Sequence, residues 1–262
     1  MPEDLTQRRL TPERMDELDL PVEAHRAALA GLERLNLLSF HVRPFWKAIQ
    51  PLAQAAGRPL RVLDLACGGG GLVIGLRKRA ARAGLNLTVD GCDRSHLAVN
   101  FAQERAEKSG TGAAGRFFVC DLFSSGVPEG YDILVNSLFL HHLRDEEALQ
   151  FLIDLSHKAT TQILVSDILR TRLGWWLVNI ACRLFGDADI VVDDGLASLR
   201  AAFTLPEFEA LAARVPLPGV EFRRHWPERA LLAWTPGIRL EEPAVEAVLE
   251  LTPEVSPGLA AP

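Results

Sequence analysis

At 262 residues, 48% of them hydrophobic and 24% charged, the chain can bury a sizeable core without disulfide or metal staples. Its net charge is −6 with basic residues scattered among acids, which excludes the electrostatic footprint of a nucleic-acid binder. The four cysteines, Cys67, Cys92, Cys120 and Cys182, form no C-x-x-C pair, so they read as small buried hydrophobes and not as a zinc or redox site.

The opening MPEDLTQRRL lacks a positively charged lead into an apolar run. No secretory signal is expected, and the chain is predicted to be cytoplasmic. Residues 16–56 place Leu18, Val22, Ala28, Leu32, Leu35 and Leu38 at helical steps. A helical cap over 1–56 follows, with Pro44 ending one helix and opening the next.

From Leu60 the pattern changes to short apolar runs: LRVLDLA, LNLTVDGCD, GRFFVCD, YDILVNSL and TQILVSDI. Amphipathic stretches of crossover length, such as GLVIGLRKRAARAG and DEEALQFLIDLSHKAT, lie between them. This alternation predicts an α/β fold with a mostly parallel sheet and helices on both faces, over a core of 57–240.

After Asp167 the alternation breaks. Arg172 and Arg183 bracket only ten residues in the most apolar stretch, where a spanning helix needs about 20. No integral membrane segment is expected, and residues 171–200 read as an insertion carrying an acidic turn, GDADIVVDDG. TLPEFEALAARV reads as a helix capped by Thr204, and VEFRRHWP with RALLAWTP as a terminal antiparallel hairpin. The tail 241–262, rich in Pro, Ala and Glu, is expected to be loosely held.

In open α/β sheets ligands collect at the carboxyl ends of the strands. The first strand ends in VLDLACGGGGL, with Asp64 followed by Ala66, Gly68 and Gly70 at alternate positions. The dinucleotide fingerprint G-x-G-x-x-G/A fails, because its sixth position falls on Val73 or Ile74. Walker A fails too, since no Lys-Ser or Lys-Thr follows the glycines. The next strands end in Asp93, 29 residues after Asp64, and in Asp121. Each acid has a plain structural alternative, as a helix cap or a turn residue.

The pattern D-x-A-x-G-x-G, followed by two acids at successive strand ends and by YDILVNSLFLHHLRDEEAL, resembles class I S-adenosylmethionine-dependent methyltransferases of the small-molecule type, including those of secondary metabolism and quinone biosynthesis. The family's usual motif has Gly where this chain has Ala66. The resemblance covers residues 60–170 and implies a Rossmann-like, doubly wound, seven-stranded sheet that binds S-adenosyl-L-methionine and releases S-adenosyl-L-homocysteine.

On that resemblance the cofactor contacts are Asp64, Ala66, Cys67, Gly68, Gly70, Asp93, Arg94, Asp121, Leu122, Asn136 and Ser137. Asp93 is expected at the ribose hydroxyls and Asp121 at the adenine amine. Arg43 is a candidate for the methionine carboxylate, with a solvated surface Arg as the alternative.

His141 and His142 are candidate general bases for an acceptor hydroxyl. Adjacent in sequence, they are expected to face opposite ways, so that at most one meets the acceptor. Trp175 and Trp176 are candidates to stack on an aromatic acceptor, with lid packing or a membrane-surface helix as alternatives. No metal cluster with ligand-like spacing is evident.

The implied function is methylation of a small-molecule acceptor, an aromatic or polyketide-type hydroxyl, by a monomer or homodimer. The alternatives are C-methylation of a quinone-type or lipid-like acceptor, a nicotinamide-dependent Rossmann enzyme, and a non-catalytic cofactor-binding module. A nucleic-acid acceptor is disfavoured, because the fourth strand lacks an Asn/Asp-Pro-Pro-Tyr/Phe-type motif.

Overall fold

Apolar residues on both faces make β1 (Leu60–Leu65) the centre of the sheet, with every side chain but that of Arg61 buried. The computed structural model describes residues 5–14, 21–185 and 189–236. In it β1 pairs in parallel with β2 (Leu87–Asp93) on one side and β4 (Ile133–Ser137) on the other. β3 (Phe117–Val119) extends the sheet beyond β2, and β5 (Gln162–Ile168) extends it beyond β4, both in parallel. β7 (Arg229–Trp234) runs antiparallel to β5, and β6 (Glu221–His225) antiparallel to β7. The order β3-β2-β1-β4-β5-β7-β6 is the Rossmann-like, mostly parallel sheet with a terminal hairpin that the sequence implies.

Alternate strand residues enter opposite cores, as a pleat requires. Leu63, Leu65 and Leu134 pack with Phe151 and Leu152 of α6 (Asp145–Lys158) and Phe208 of α9 (Leu205–Ala212). Val62, Ile133 and Val135 pack with Phe45 and Ile49 of α2 (Val42–Ala55) and Val73 and Leu76 of α3 (Gly71–Ala83). Burial of one such side chain contributes roughly 1.5–3 kcal/mol, so these layers hold the strand ends in fixed positions.

The helix ends follow their local chemistry. Ser95 caps α4 (His96–Lys108) by accepting from the Ala98 amide at 3.2 Å. Thr204 and Glu207 form a reciprocal capping box at α9, with Pro206 in its first turn, as the sequence predicts. α6 carries Asp145, Glu146 and Glu147 in its first turn and His157 and Lys158 in its last, each favourable to the helix dipole.

The structure differs from the sequence reading in several places. The break between α1 (Val22–Leu38) and α2 falls at residues 39–41, where Phe40 has φ +52°. Pro44 instead lies inside the first turn of α2, where its missing N–H costs no helical bond. The acidic turn expected at 186–195 is helical from Asp189, the start of α8 (Asp189–Ala201), which follows α7 (Arg172–Phe185). β3 stops at Val119, so Asp121 lies past the strand and caps α5 (Leu122–Ser125). Residues 15–20 and 186–188 and the tail from 237, including 241–262, lie outside the described residues. Among the described residues no helix is long and apolar enough to cross a membrane. Cys67 and Cys92 are buried and Cys120 is half-buried, all as free thiols.

Candidate active site

Strand order reverses between β1 and β4, and the strand ends there open into a cavity of about 950 Å³. The loop leaving β1 holds Ala66 at φ +54°, Gly68 at +50° and Gly70 at +72°, which folds the backbone into the cavity wall. Gly70 is required twice over. Besides its left-handed φ, a Cβ there would meet Ala102 Cβ at 2.8 Å and Phe117 at 2.9 Å. Asp93 fixes the loop, accepting from the Gly68 amide at 2.9 Å through Oδ2 and from the Ser95 amide at 2.9 Å through Oδ1. Ser95, and not Asp93, therefore caps α4.

Asp64 lies beneath this loop, 2% exposed, and its Oδ1 has no hydrogen-bond partner within the chain. Burial, reinforced by Asp93 and Glu33, raises its pKa well above the usual carboxylate range. Glu33 is a wall residue that sequence reasoning missed, because one acid in an amphipathic helix carries no signal. From α1 its carboxylate abuts Gly69 and Gly71 and pairs with Arg105 at 3.2 Å. Burial raises its pKa, against the pull of Arg105. Arg229, also missed, lines the cavity while 6% exposed, and burial lowers its pKa to about 10.

Of the other residues singled out in the sequence, Cys67, Arg94, Asp121, Leu122 and Ser137 line the same cavity. Asp121 also accepts from the Phe123 amide at 3.0 Å, which is its capping contact. Asn136 does not line it, being fully buried with Nδ2 donating to the Leu65 carbonyl at 2.8 Å, a brace between β4 and β1. Arg43 does not line the cavity either and lies in a neighbouring cleft with Lys47, Arg223 and Arg224. Trp175 and Trp176 pack edge to face at 5.2 Å, and Trp176 is 54% exposed. The helix they sit on offers Leu177 and Val178 to the cavity instead.

His141 and His142 do not face opposite ways. The segment after β4 is a short 3₁₀ turn, and its curvature brings both rings to the cavity wall with centroids 4.2 Å apart. His141 is 3% exposed. Its Nδ1 donates to Asp167 Oδ1 at 2.7 Å, and its backbone amide donates to Asp167 Oδ2 at 2.9 Å. Burial opposes charge on this ring, but Asp167 and Glu13 outweigh it and hold the pKa up to about 10.

Glu13 is a third residue that sequence spacing could not connect to these histidines. It arrives on residues 5–14, a strap tied down by Arg8 and Arg14. Arg8 donates to the Leu143 carbonyl at 2.6 Å and the Ala201 carbonyl at 2.5 Å, and the Arg14 amide donates to Asp194 at 2.8 Å. Glu13 Oε1 stands 3.8 Å from His141 Nε2 and 3.9 Å from His142 Nε2 and accepts from Ser198 Oγ.

The sequence profile described as "methyltransferase domain" matches residues 62–158, from β1 through α6. Residues 62–158 form a methyltransferase domain. No curated protein sequence matches the chain. Among solved structures, the S-adenosylmethionine-dependent methyltransferase SibL is similar with a TM-score of 0.59 at 19% identity, covering 87% of this chain and 63% of that one. Magnesium protoporphyrin IX methyltransferase from Synechocystis, with bound S-adenosylhomocysteine, gives 0.53 at 20% identity over 85% and 91%. An O-methyltransferase family 2 protein from Planctomyces limnophilus, in complex with apigenin, gives 0.51 at 17% over 67% and 49%. The chain spans between about half and three fifths of the length of several such structures. The methyltransferase domain thus has the fold of these enzymes, with its glycine loop and strand-end acids at the switch point.

Proposed function

We propose that the protein is an S-adenosylmethionine-dependent methyltransferase acting on a small-molecule acceptor, with an aromatic or polyketide-type hydroxyl as the preferred class. The observation that carries this is the acid-lined wall at the switch point, where Asp64 keeps an unpartnered, buried oxygen beside Glu33 and Asp93. A ligand bearing a sulfonium and an ammonium favours the charged form of these acids and is held by it, whereas a diphosphate brings no such compensation. When bound, S-adenosylmethionine supplies an already activated methyl group.

The chain's part is then largely positioning, for which effective molarities of about 10⁵ M or more are available. The glycine loop and Asp64 hold the methionine portion, Asp93 the ribose hydroxyls, and Asp121 the adenine amine. Leu177 and Val178 of α7 and Leu10 of the strap give the acceptor an apolar wall that keeps water away. Glu13 and His142 lie at that wall, within reach of a proton leaving an acceptor hydroxyl. An acidic phenol needs no such base.

Titration calorimetry with S-adenosylmethionine and S-adenosylhomocysteine tests the cofactor, followed by mass-spectrometric detection of methylated products from a phenol panel. Micromolar binding with a mass gain of one methyl supports the reading, and no binding of either ligand defeats it.

A lipid-like or quinone-type acceptor is the second reading. Leu173, Trp176 and Ile180 leave an exposed apolar stripe along α7, at 55%, 54% and 48% exposure. Such a stripe suits contact with a membrane surface. Co-flotation with anionic vesicles, lost in Trp176→Ser, favours this acceptor class over a freely soluble phenol.

A further inference from the structure

The acceptor end of the cavity gathers a set of donors with metal-like geometry. One atom each from Glu13, His141 and His142 lies within 4.8 Å of the others. The two distances from Glu13 Oε1, 3.8 and 3.9 Å, compare with roughly 3.4 Å between ligands held about 2.1 Å from a tetrahedral ion. The two Glu13 edges need to shorten by only about half an ångström, and the edge between the two histidines lies within 4.8 Å.

Three further contacts distinguish this from a chance cluster. His141 gives its other ring nitrogen to Asp167 at 2.7 Å, an outer carboxylate contact that orients Nε2 toward an ion, which would displace the proton Nε2 shares with Glu13. Glu13, 6% exposed, is held by Ser198, so its carboxylate is pre-positioned. The strap carrying Glu13 is itself pinned by the Arg8 and Arg14 contacts.

Two imidazoles and one carboxylate suit zinc or ferrous iron more than magnesium or calcium, which prefer all-oxygen sites. The three residues also line the cavity, so a bound ion has one side open to it.

We propose that Glu13, His141 and His142 bind one divalent first-row transition-metal ion whose open position takes an oxygen of the acceptor. The ion would act as a Lewis acid that orients and polarises a phenol, enol or 2-oxo acid oxygen. That role rests on the methyl-transfer reading, but ion binding does not. With one position open, an acceptor that offers a single oxygen to the ion is the substrate class this geometry favours.

The test uses tag-free, full-length protein stripped with a chelator and desalted, then titrated with zinc ion by calorimetry and with cobalt(II) by visible absorption. Wild type is expected to bind one ion per chain, and Glu13→Gln and His142→Ala are each expected to weaken binding by about tenfold or more. Thermal shift with S-adenosylhomocysteine on every variant reports the fold and the cofactor site independently. Saturable binding lost in the variants, with the S-adenosylhomocysteine response intact, supports the site. Absent binding, or binding unchanged in both variants, overturns it. Metal binding without any S-adenosylhomocysteine response leaves the metal site standing and overturns the methyl-transfer reading.

Discussion

The backbone amide of Gly68 donates to Asp93 Oδ2 at 2.9 Å, so the glycine loop after β1 and the acid ending β2 move as one unit. Asp93→Ala therefore removes both a cavity carboxylate and the acceptor that fixes the loop. Asp93→Asn keeps one acceptor oxygen, enough for either the Gly68 or the Ser95 amide, and loses the charge together with the other hydrogen bond. With hydrogen bonds to charged groups contributing about 1.5–3 kcal/mol, the Asn variant is expected to lose about tenfold in S-adenosylhomocysteine affinity. Both variants are expected to lose several degrees in melting temperature, the Ala variant more because it leaves both amides without their acceptor. Unchanged affinity in Asp93→Asn, measured by calorimetry, argues against a ribose contact there.

Ala66 and Gly70 make a paired test of the loop. Ala66 holds φ +54° with a side chain, a conformation costing roughly 1–2 kcal/mol for an L residue. Ala66→Gly relieves this but adds unfolded-state entropy worth about 0.4–1 kcal/mol, so stability is expected to stay level or rise slightly. Gly70→Ala meets both strain and the contacts at 2.8–2.9 Å, and a loss of about 2 kcal/mol or more is expected. Urea unfolding of the two variants checks the opposite signs.

Arg8 is the main clasp of the strap, spending its guanidinium on Leu143, His141, Ala201 and Asp145 and stacking over Phe203 at 3.8 Å. Arg8→Ala leaves buried carbonyls unpaired and is expected to cost about 1–3 kcal/mol locally. Hydrogen exchange should speed up in residues 5–14 and around 141–143, with the central strands unaffected. Uniform protection in the variant would show that the strap is held by other contacts.

One buried and one half-buried histidine set an acid limit. Burial first, then Arg229, lowers the pKa values of His41 and His225 to about 4. Both folded values lie below the unfolded value near 6.5, so the unfolded chain binds more protons between those limits. Their stabilising contribution is whole above about pH 6.5 and is lost as pH falls toward 4. By pH 5 each accounts for up to about 2 kcal/mol. His41→Asn and His225→Gln are each expected to flatten the stability profile between pH 7 and 5, read from urea midpoints. A slope equal to wild type would mean that neither ring is kept neutral by folding.

The sheet was legible because its signals are local and physical. Strands buried on both faces must read as continuous apolar runs, as VLDLA and ILVNS do, and β1, β2, β4 and β5 fall where those runs lie. The terminal hairpin was equally visible. The acidic stretch that opens α8 was not, because acids that look like a turn in isolation become a helix when its apolar residues, such as Leu199, have a partner to pack against. Likewise the 3₁₀ turn that stacks His141 on His142 is a backbone choice that no spacing rule reveals.

By itself the sequence determined the α/β class, the switch-point loop and the acids Asp64 and Asp93 on the first two strands, because each depends on residues adjacent in the chain. Only the tertiary structure decided which of the remaining candidates share a cavity. It carried Arg43 and the Trp pair away from that cavity and brought Glu33 and Glu13 to it. Helix packing and a strap crossing from residues 5–14 to α8 join positions far apart in sequence. The energies that fix them, burial of apolar faces and pairing of buried charge, belong to the assembled fold.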